Sequence, residues 1–489
     1  MAPASTQGWS GKVRAAVLWR SGSQIVAQLI AWVSTFLVIR MLAPADYGLF
    51  AMTQVMLVFL NTMNGFGLAS ALIREAEVCE QRLRQTLGLL LLLNGTLAMA
   101  QFALAPLVAG YFGQPLVADL LRVQALMYLF TPWFALPHAM LSRQMDFRRP
   151  AQVRMLASLT GAGTALVFAW NGAGVWTLVA APMALFLVEA IGMTIAARAP
   201  LRPSFRFTGM AGIAGFGGLM TATQFFWFVQ SQADVIIAGR VLDVHSLGLY
   251  TTGLFLAQLL AIKFVPPVNE VAYAAYARMQ SRGAEPLLAT VRLVMLLALP
   301  AYAGMAVLAD PLVLVLLGER WSGIAAILPV LALAMAMLTL QILFAPATNA
   351  IGRPGIALRV SMIGSLVMPL AFLAAAPLGL TGFAWAWVGG TALVLAATIA
   401  LSAGAVGLAT TGLAQAVAPL LVATAIMAGA LELAGSALPP LPPLGWLVVA
   451  VPLGVAIYGT VLAVIAPGRL AEAWRFASGS ADRQPAPSA

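Results

Sequence analysis

The chain has 489 residues, of which 62% are hydrophobic and only 9% are charged, against roughly 25% charged in an ordinary soluble protein. A water-soluble domain of this size cannot cover that much apolar surface with so few polar residues. The composition therefore excludes a soluble protein and a large catalytic domain, and it predicts an all-α polytopic membrane protein.

Fourteen apolar segments follow one another along the chain, each bounded by charge, proline or glycine. A span of hydrocarbon needs about 20 apolar residues, and a helix satisfies its own backbone hydrogen bonds there, which an open strand cannot do. The predicted spans, numbered 1 to 14, lie at about 17–39, 47–69, 86–112, 117–141, 153–170, 175–197, 210–233, 247–268, 287–309, 323–344, 356–376, 379–402, 413–435 and 444–466. The first of them is expected to be a retained anchor, since no small-residue cleavage site follows it.

The basic residues predict the orientation of these spans. With the N-terminus in the cytoplasm, only Arg40, Arg122, Arg240 and Arg320 of the 26 lysines and arginines fall on the outer side. Such an asymmetry is typical of multi-pass membrane proteins, and it places both termini in the cytoplasm. The net charge of +10 is then an orientation signal, and nucleic acid is excluded as a partner.

Side chains that would support catalysis or metal binding are scarce. The chain has one cysteine, Cys79, and two histidines, His138 and His245, so a His/Cys metal site is not expected. There is also no Gly-Lys-Ser/Thr phosphate loop, which excludes P-loop ATP hydrolysis by this chain. The sequence predicts no metal, no cofactor and no enzymatic activity.

An internal repeat is visible in the segments that link equivalent spans. Arg40 and Gly48 match Arg240 and Gly248, 200 positions later, within similar surroundings. A second match relates Pro106 to Pro311, 205 positions later. Two parallel six-helix halves are a transporter architecture, with the substrate held between them.

The repeat predicts the domain organisation. Spans 1–6 and 7–12 form the two halves, spans 13 and 14 are appended, and a short tail follows. The predicted domains are 1–206, 207–403, 404–470 and the cytoplasmic tail 471–489.

The residues of these linking segments resemble a known family. Residues 37–51, Leu-Val-Ile-Arg-Met-Leu-Ala-Pro-Ala-Asp-Tyr-Gly-Leu-Phe-Ala, are similar to the junction of the first two helices in polysaccharide and O-antigen flippases of the Wzx type. These flippases belong to the multidrug/oligosaccharidyl-lipid/polysaccharide exporter superfamily. Residues 234–240 and 248–250 resemble the family's junction of helices 7 and 8, and residues 317–321 resemble its Gly-x-x-Trp turn. The resemblance runs from about Val17 to Ala409 and is weakest in the last two spans.

The resemblance implies two six-helix bundles that form a V around a central cavity. It also implies export of an undecaprenyl-pyrophosphate-linked oligosaccharide, by alternating access, across a bacterial inner membrane for lipopolysaccharide, capsule or exopolysaccharide biosynthesis. The partners expected are the lipid-linked oligosaccharide, membrane lipids, and the polymerase and chain-length proteins of the same pathway. The glycan, the coupling ion and the oligomeric state stay open.

Three other functions compete with this interpretation. A multidrug or cation antiporter of the same superfamily usually has twelve helices and a specific buried acid in its N-terminal half. A lipid II flippase shares the fourteen-helix plan. A membrane-embedded glycosyltransferase or polymerase would need a large outer loop, and the outer loops here are only about a dozen residues long.

A flippase must carry a hydrated sugar-pyrophosphate group through hydrocarbon, which requires cationic groups for the phosphates and amides or hydroxyls for the sugar. Amides within spans 1, 2, 7 and 8 are therefore candidates for the substrate cavity, although each could instead be a bond between helices. The predicted cavity residues are Gln24, Gln28, Asn61, Asn64, Arg122, Gln224, Gln258 and Lys263.

Charged residues inside the spans leave specific alternatives, because a charge in lipid is costly. Arg122 is either a phosphate contact or the partner of Asp119, and Lys263 either faces the cavity or extends to the headgroups. Glu189 is either protonated, paired, or a cation-coupling site. Asp234, at the predicted end of span 7, is either a local ion pair or cap, or a second coupling site.

Overall fold

The computed structural model describes residues 32–61, 79–146, 148–198, 202–206, 211–278, 284–439 and 441–468. For residues 211–224 it describes the backbone only. Of the predicted cavity residues, Gln24, Gln28 and Asn64 lie outside this part of the chain, and so does the side chain of Gln224.

The chain divides into two compact units. Unit 1 comprises Met1–Phe228 and Leu242–Gly248, and unit 2 comprises Val229–Val241 and Leu249–Ala489. The four predicted domains stay a prediction.

Unit 1 is built from helices that follow one another with short connections. Leu120, Val175 and Val179 form one of its buried apolar clusters, and Leu141 and Met193 contribute to another. Its helices are α1 (Trp32–Met41), α2 (Pro44–Asn61), α3 (Glu80–Phe112), α4 (Leu116–Gln124), α5 (Leu126–Arg143), α6 (Arg148–Trp170), α7 (Trp176–Ala197) and most of α8 (Ala211–Val241).

Unit 2 has the same helical character. Tyr458 of its last helix donates a hydrogen bond to the carbonyl of Leu296 at 3.0 Å, which joins that helix to the helix that contains Leu296. Its helices are α9 (Val244–Arg278, from Leu249 onward), α10 (Glu285–Val307), α11 (Ala309–Leu316), α12 (Leu328–Ile342), α13 (Phe344–Ala350), α14 (Gly355–Ala375), α15 (Gly379–Val406), α16 (Thr410–Ala437) and α17 (Pro443–Ile465). A 3-10 helix, Glu319–Ile324, precedes α12.

Nine helical segments of the described part are long and apolar enough to cross a bilayer. One of these segments, Gly355–Val406, contains both α14 and α15. The prediction of an all-α, multi-pass membrane fold is confirmed, whereas the number of fourteen spans stays a prediction.

Two predicted spans differ from the helices in the structure. The span predicted at 247–268 is α9, which continues to Arg278. Pro266 and Pro267 each remove a backbone donor without ending the helix. Its continuation is held by packing, because Ala272 and Tyr276 are buried.

The span predicted at 117–141 is interrupted in the structure. Helix α4 ends at Gln124 and α5 begins at Leu126, with Ala125 between them. The amide of Tyr128 bonds to the carbonyl of Ala125, only three residues back, so the regular four-residue ladder is broken at this point.

The repeated glycines lie where α2 and the beginning of α9 cross within unit 1. A methyl group on Gly48 would overlap the backbone carbonyl of Val244, and one on Gly248 would overlap the backbone carbonyl of Pro44. Backbone approaches backbone at both points, so only glycine fits. The two glycines that the repeat relates therefore make reciprocal contacts, each with the backbone at the start of the other helix.

We predict that Gly48→Ala and Gly248→Ala each lower the stability of the purified protein by about 1–3 kcal/mol or more, since the added methyl group forces the helices apart. The thermal unfolding midpoint in detergent measures this. Gly110→Ala is the matched control, because a methyl group there meets open space. Equal midpoints for all three variants would contradict the proposed role of the crossing.

Candidate functional site

A carboxylate is buried in the interior of unit 2. Asp234 is 1% exposed, and because α8 continues to Val241, it lies about two helical turns inside that helix. The prediction that Asp234 stands at the helix end was wrong, since the helix continues past it.

Two side chains from other helices form a chain of hydrogen bonds that ends on this carboxylate. The hydroxyl of Tyr250 on α9 donates to Asp234 Oδ2 at 2.9 Å. The indole Nε1–H of Trp387 on α15 donates to the Tyr250 oxygen at 2.7 Å. Both donors therefore point toward the negative charge, which is the arrangement that stabilises a carboxylate.

Aromatic rings enclose these hydrogen bonds. The ring of Phe383 lies 5.7 Å from that of Tyr250, and the ring of Phe372 lies 5.6 Å from that of Trp387. Phe383 and Trp387 are four residues apart on α15 and so share one face of the helix. Tyr250, Phe372 and Phe383 are at most 1% exposed, which holds the hydrogen-bonded chain in one geometry.

The second carboxylate oxygen of Asp234 lacks a partner in the described structure. Asp234 Oδ1 is buried and accepts no hydrogen bond in the described structure. A buried charge without full hydrogen bonding is costly, and it is relieved by binding a proton or another cation. The role of Asp234 as a cation-coupling residue stays a prediction.

Glu189, the other predicted coupling residue, has a different environment in unit 1. It is 7% exposed, and its Oε1 lies 3.4 Å from Nε of Arg154 on α6. Of the three alternatives for Glu189, this geometry corresponds to the paired carboxylate.

Arg122 lies on α4 and contacts two neighbours. Its Nη1 donates to Asp119 Oδ1 at 3.1 Å, and its guanidinium carbon lies 5.6 Å from the ring centre of Phe102 on α3. The side chains of Arg122 and Asp119 are 40% and 58% exposed, so the ion pair itself adds little stability. The guanidinium stays accessible to a further anion.

The other described residues of the predicted cavity belong to different units, with Asn61 in unit 1 and Gln258 and Lys263 in unit 2. Gln258 is half-buried in α9, Lys263 is exposed one turn later, and Asn61 is exposed at the end of α2. Their assignment to a cavity stays a prediction.

Sequence reasoning missed two members of the Asp234 site. Tyr250 was noted only as part of the repeat, where Phe50 is its counterpart, and this change from Phe to Tyr is a signal that was available. Trp387 lies 153 residues after Asp234 in an unremarkable apolar segment, and no local pattern connects them.

Solved structures share the fold of this chain. The chain matches the inward closed conformation of the lipid II flippase MurJ with a TM-score of 0.76 and 12% identity, over 93% of this chain and 100% of that one. It also matches the inward-facing conformation of a multidrug resistance MATE family transporter of the MOP superfamily, with a TM-score of 0.60 and 17% identity, over 78% of this chain and 94% of the transporter. The fold is that of these membrane transporters.

The sequence relatives narrow the class to a family. Residues 37–326 match the family described as Polysaccharide biosynthesis protein, and the chain belongs to it. This confirms the resemblance on which the sequence analysis relied.

Two curated relatives illustrate the range of this similarity. The chain is 25% identical to the succinoglycan biosynthesis transport protein ExoT of Rhizobium meliloti (strain 1021), over 66% of each chain. It is 21% identical to the lipopolysaccharide biosynthesis protein WzxC of Escherichia coli (strain K12), over 64% of this chain and 65% of the relative. The matched part therefore spans just under two thirds of the length of these relatives.

We predict that Tyr250→Phe costs more stability with Asp234 present than in an Asp234→Asn background. With the carboxylate present, loss of its donor leaves a poorly satisfied buried charge, at a cost of about 1–3 kcal/mol or more, whereas a neutral hydrogen bond contributes about 1 kcal/mol. Unfolding of the two single variants and the double variant measures the difference.

Tyr302→Phe is the matched control for this cycle, because Tyr302 is also buried in unit 2 and its hydroxyl contacts a neutral group, Thr339 Oγ1, at 3.0 Å. Tyr302→Phe should lower the free energy of unfolding by the same amount with or without Asp234→Asn. An equal cost of Tyr250→Phe in both backgrounds would show that the hydroxyl does not serve the charge.

Proposed function

We propose that this protein is a flippase that moves an undecaprenyl-pyrophosphate-linked oligosaccharide from the inner to the outer leaflet of a bacterial inner membrane. The transported glycan then enters surface polysaccharide, with both protein termini in the cytoplasm. The partners of this proposal are the lipid-linked substrate, membrane lipids, and the polymerase and chain-length proteins that use the product.

The extent of the fold match is the observation that carries the proposal. The match to the lipid II flippase covers 93% of the chain, and that to the multidrug transporter covers 78%. More of this chain therefore has a counterpart in a protein named for a lipid-linked substrate. This supports transport of a substrate with a lipid tail over extrusion of a small drug.

The names of the relatives support a polysaccharide precursor over lipid II. Proteins of succinoglycan, teichuronic acid and lipopolysaccharide biosynthesis all align with this chain. No single glycan is common to these names, so the proposal is for a lipid-linked oligosaccharide as a class of substrate.

Cation coupling in this proposal is assigned to Asp234. Its carboxylate is buried with one oxygen free, so a change in its occupancy changes the charge inside unit 2. Glu189 already has a cationic partner in Arg154, which supports a structural role for that pair.

Substrate binding is assigned to the predicted polar residues, with Arg122 as the phosphate contact. A guanidinium can bind a phosphate through two parallel hydrogen bonds. In the structure Arg122 makes a single hydrogen bond to Asp119, so further N–H groups are available to phosphate.

Deletion of the gene tests the proposal directly. We expect undecaprenyl-linked oligosaccharide to accumulate on the inner leaflet and surface polysaccharide to be lost, because the headgroup crosses hydrocarbon too slowly unaided. Extraction of the lipid-linked intermediates and their accessibility to an external glycan-modifying enzyme measure this. The wild-type gene should restore export, and Asp234→Asn should restore it poorly at equal protein level. Unchanged polysaccharide with raised drug sensitivity would instead favour the multidrug antiporter.

Two variants distinguish the alternatives for Arg122. If the guanidinium binds phosphate, Arg122→Ala should lower export about tenfold or more, since a charge-assisted pair contributes about 1.5–3 kcal/mol. Asp119→Asn should preserve export, because it removes only the competing carboxylate. Export and protein level are measured together. Equal losses in both variants would mean that Arg122 serves only its ion pair.

A further inference from the structure

Unit 1 contains a group of buried polar side chains that the proposed flippase mechanism does not use. Gln101 on α3 is 0% exposed, Gln124 at the end of α4 is 1% exposed, and Thr53 on α2 is 0% exposed. Three helices thus direct polar groups into an interior where each must be satisfied without bulk water.

Each amide nitrogen of this group donates a hydrogen bond through one of its two N–H groups. Gln101 Nε2 donates to the carbonyl of Leu121 at 2.8 Å. Gln124 Nε2 donates to Thr53 Oγ1 at 3.1 Å, and the Thr53 hydroxyl donates to the carbonyl of Phe50 at 2.7 Å. Gln101 Oε1 and Gln124 Oε1 accept no hydrogen bond in the described structure and are buried.

The buried atoms of these two amides that lack any hydrogen bond in the described structure are therefore both oxygens. The carbonyl that holds Gln101 belongs to Leu121, which precedes Gln124 by about one helical turn on the same helix, so the two amides lie close together. Thr53 Oγ1 keeps one lone pair, because it donates one hydrogen bond and accepts one. The cluster supplies three neutral oxygens, and this is a ligand set for a cation.

The break between α4 and α5 adds to the negative potential at the same place. Helix α4 ends at Gln124, and a helix C-terminus carries a partial negative charge. Discontinuous helices in transporters commonly present such ends to a bound cation. Among the described residues, the hydrogen bonds of Gln101 and Gln124 involve no carboxylate, whereas divalent ions of the calcium type select carboxylate ligands.

We propose that unit 1 binds a monovalent cation, for which sodium is the probe, through Gln101 Oε1, Gln124 Oε1 and Thr53 Oγ1. Water molecules complete its coordination. The bound ion ties α2, α3 and the α4–α5 break together. This site is separate from Asp234, and it does not depend on the identity of the transported substrate.

The test compares the thermal unfolding midpoint of the purified full-length protein in sodium chloride and in choline chloride at equal ionic strength. We expect sodium to raise the midpoint by several degrees, because a ligand of the native state stabilises it by an amount that grows with the logarithm of its concentration above the dissociation constant. Gln101→Leu, Gln124→Leu and Thr53→Val should abolish the sodium-dependent increase. Binding of radioactive sodium to the detergent-solubilised protein gives a second measurement that needs no unfolding, and each variant should lose most of it.

Matched controls make the outcome specific. Asn94→Leu should keep the full sodium effect, because Asn94 is also buried on α3 with a free amide oxygen, but about two helical turns away from Gln101. Asp234→Asn should keep it as well. Equal midpoints in sodium and choline with no bound radioactive sodium would overturn the proposal and leave an ordered water as the occupant. Loss of the effect in Asp234→Asn alone would assign the ion to unit 2 instead, and also overturn it.

Discussion

A polar group placed in hydrocarbon has no water to bind, and this constraint underlies the whole structure. It accounts for the helical architecture, because a helix satisfies its backbone within itself. It also governs many polar side chains within the spans. Thr160 and Thr398 donate to the carbonyls of Leu156 and Val394, each four residues back on its own helix. Such residues are satisfied locally and need no partner from another element.

A few buried polar groups differ from these residues, because their hydrogen bonding is incomplete. Glu189 is balanced by Arg154, whereas Asp234 receives one hydrogen bond from Tyr250 and keeps a free oxygen. The amide oxygens of Gln101 and Gln124 likewise accept no hydrogen bond, although they carry no charge. In a membrane interior an unmet hydrogen-bonding requirement is costly enough that it points to an occupant or to a function. The functional interpretation of this protein therefore depends on those few exceptions.

The internal repeat acquires a physical meaning from the same close packing. The glycines at 48 and 248 are related by the repeat, and each faces the backbone at the start of the other helix. Asp46 accepts a hydrogen bond from the amide of Ala43 ahead of α2, and Asp243 accepts one from the amide of Ser246 in α9. A side-chain hydrogen bond thus joins the residue before each crossing helix to the first turn of that helix. The second carboxylate oxygen of Asp243 also accepts from the Ser246 hydroxyl, and these two hydrogen bonds hold the pKa of Asp243 below its usual value.

The amino-acid sequence by itself determined the class of the molecule. Its hydropathy required membrane helices, its basic residues predicted their orientation, and the motif around Arg40 and Gly48 indicated the family. These properties are local or additive along the chain, so no tertiary contact is needed to infer them. Helix ends were less predictable, since Asp234 and the continuation of α9 to Arg278 depend on packing against other helices. The tertiary structure alone decided which buried groups meet, because Tyr250 with Trp387, and Thr53 with Gln124, are brought together by helices from distant parts of the sequence. Partners separated in sequence leave no local pattern, and only the packed fold determines which charge is paired and which oxygen stays free.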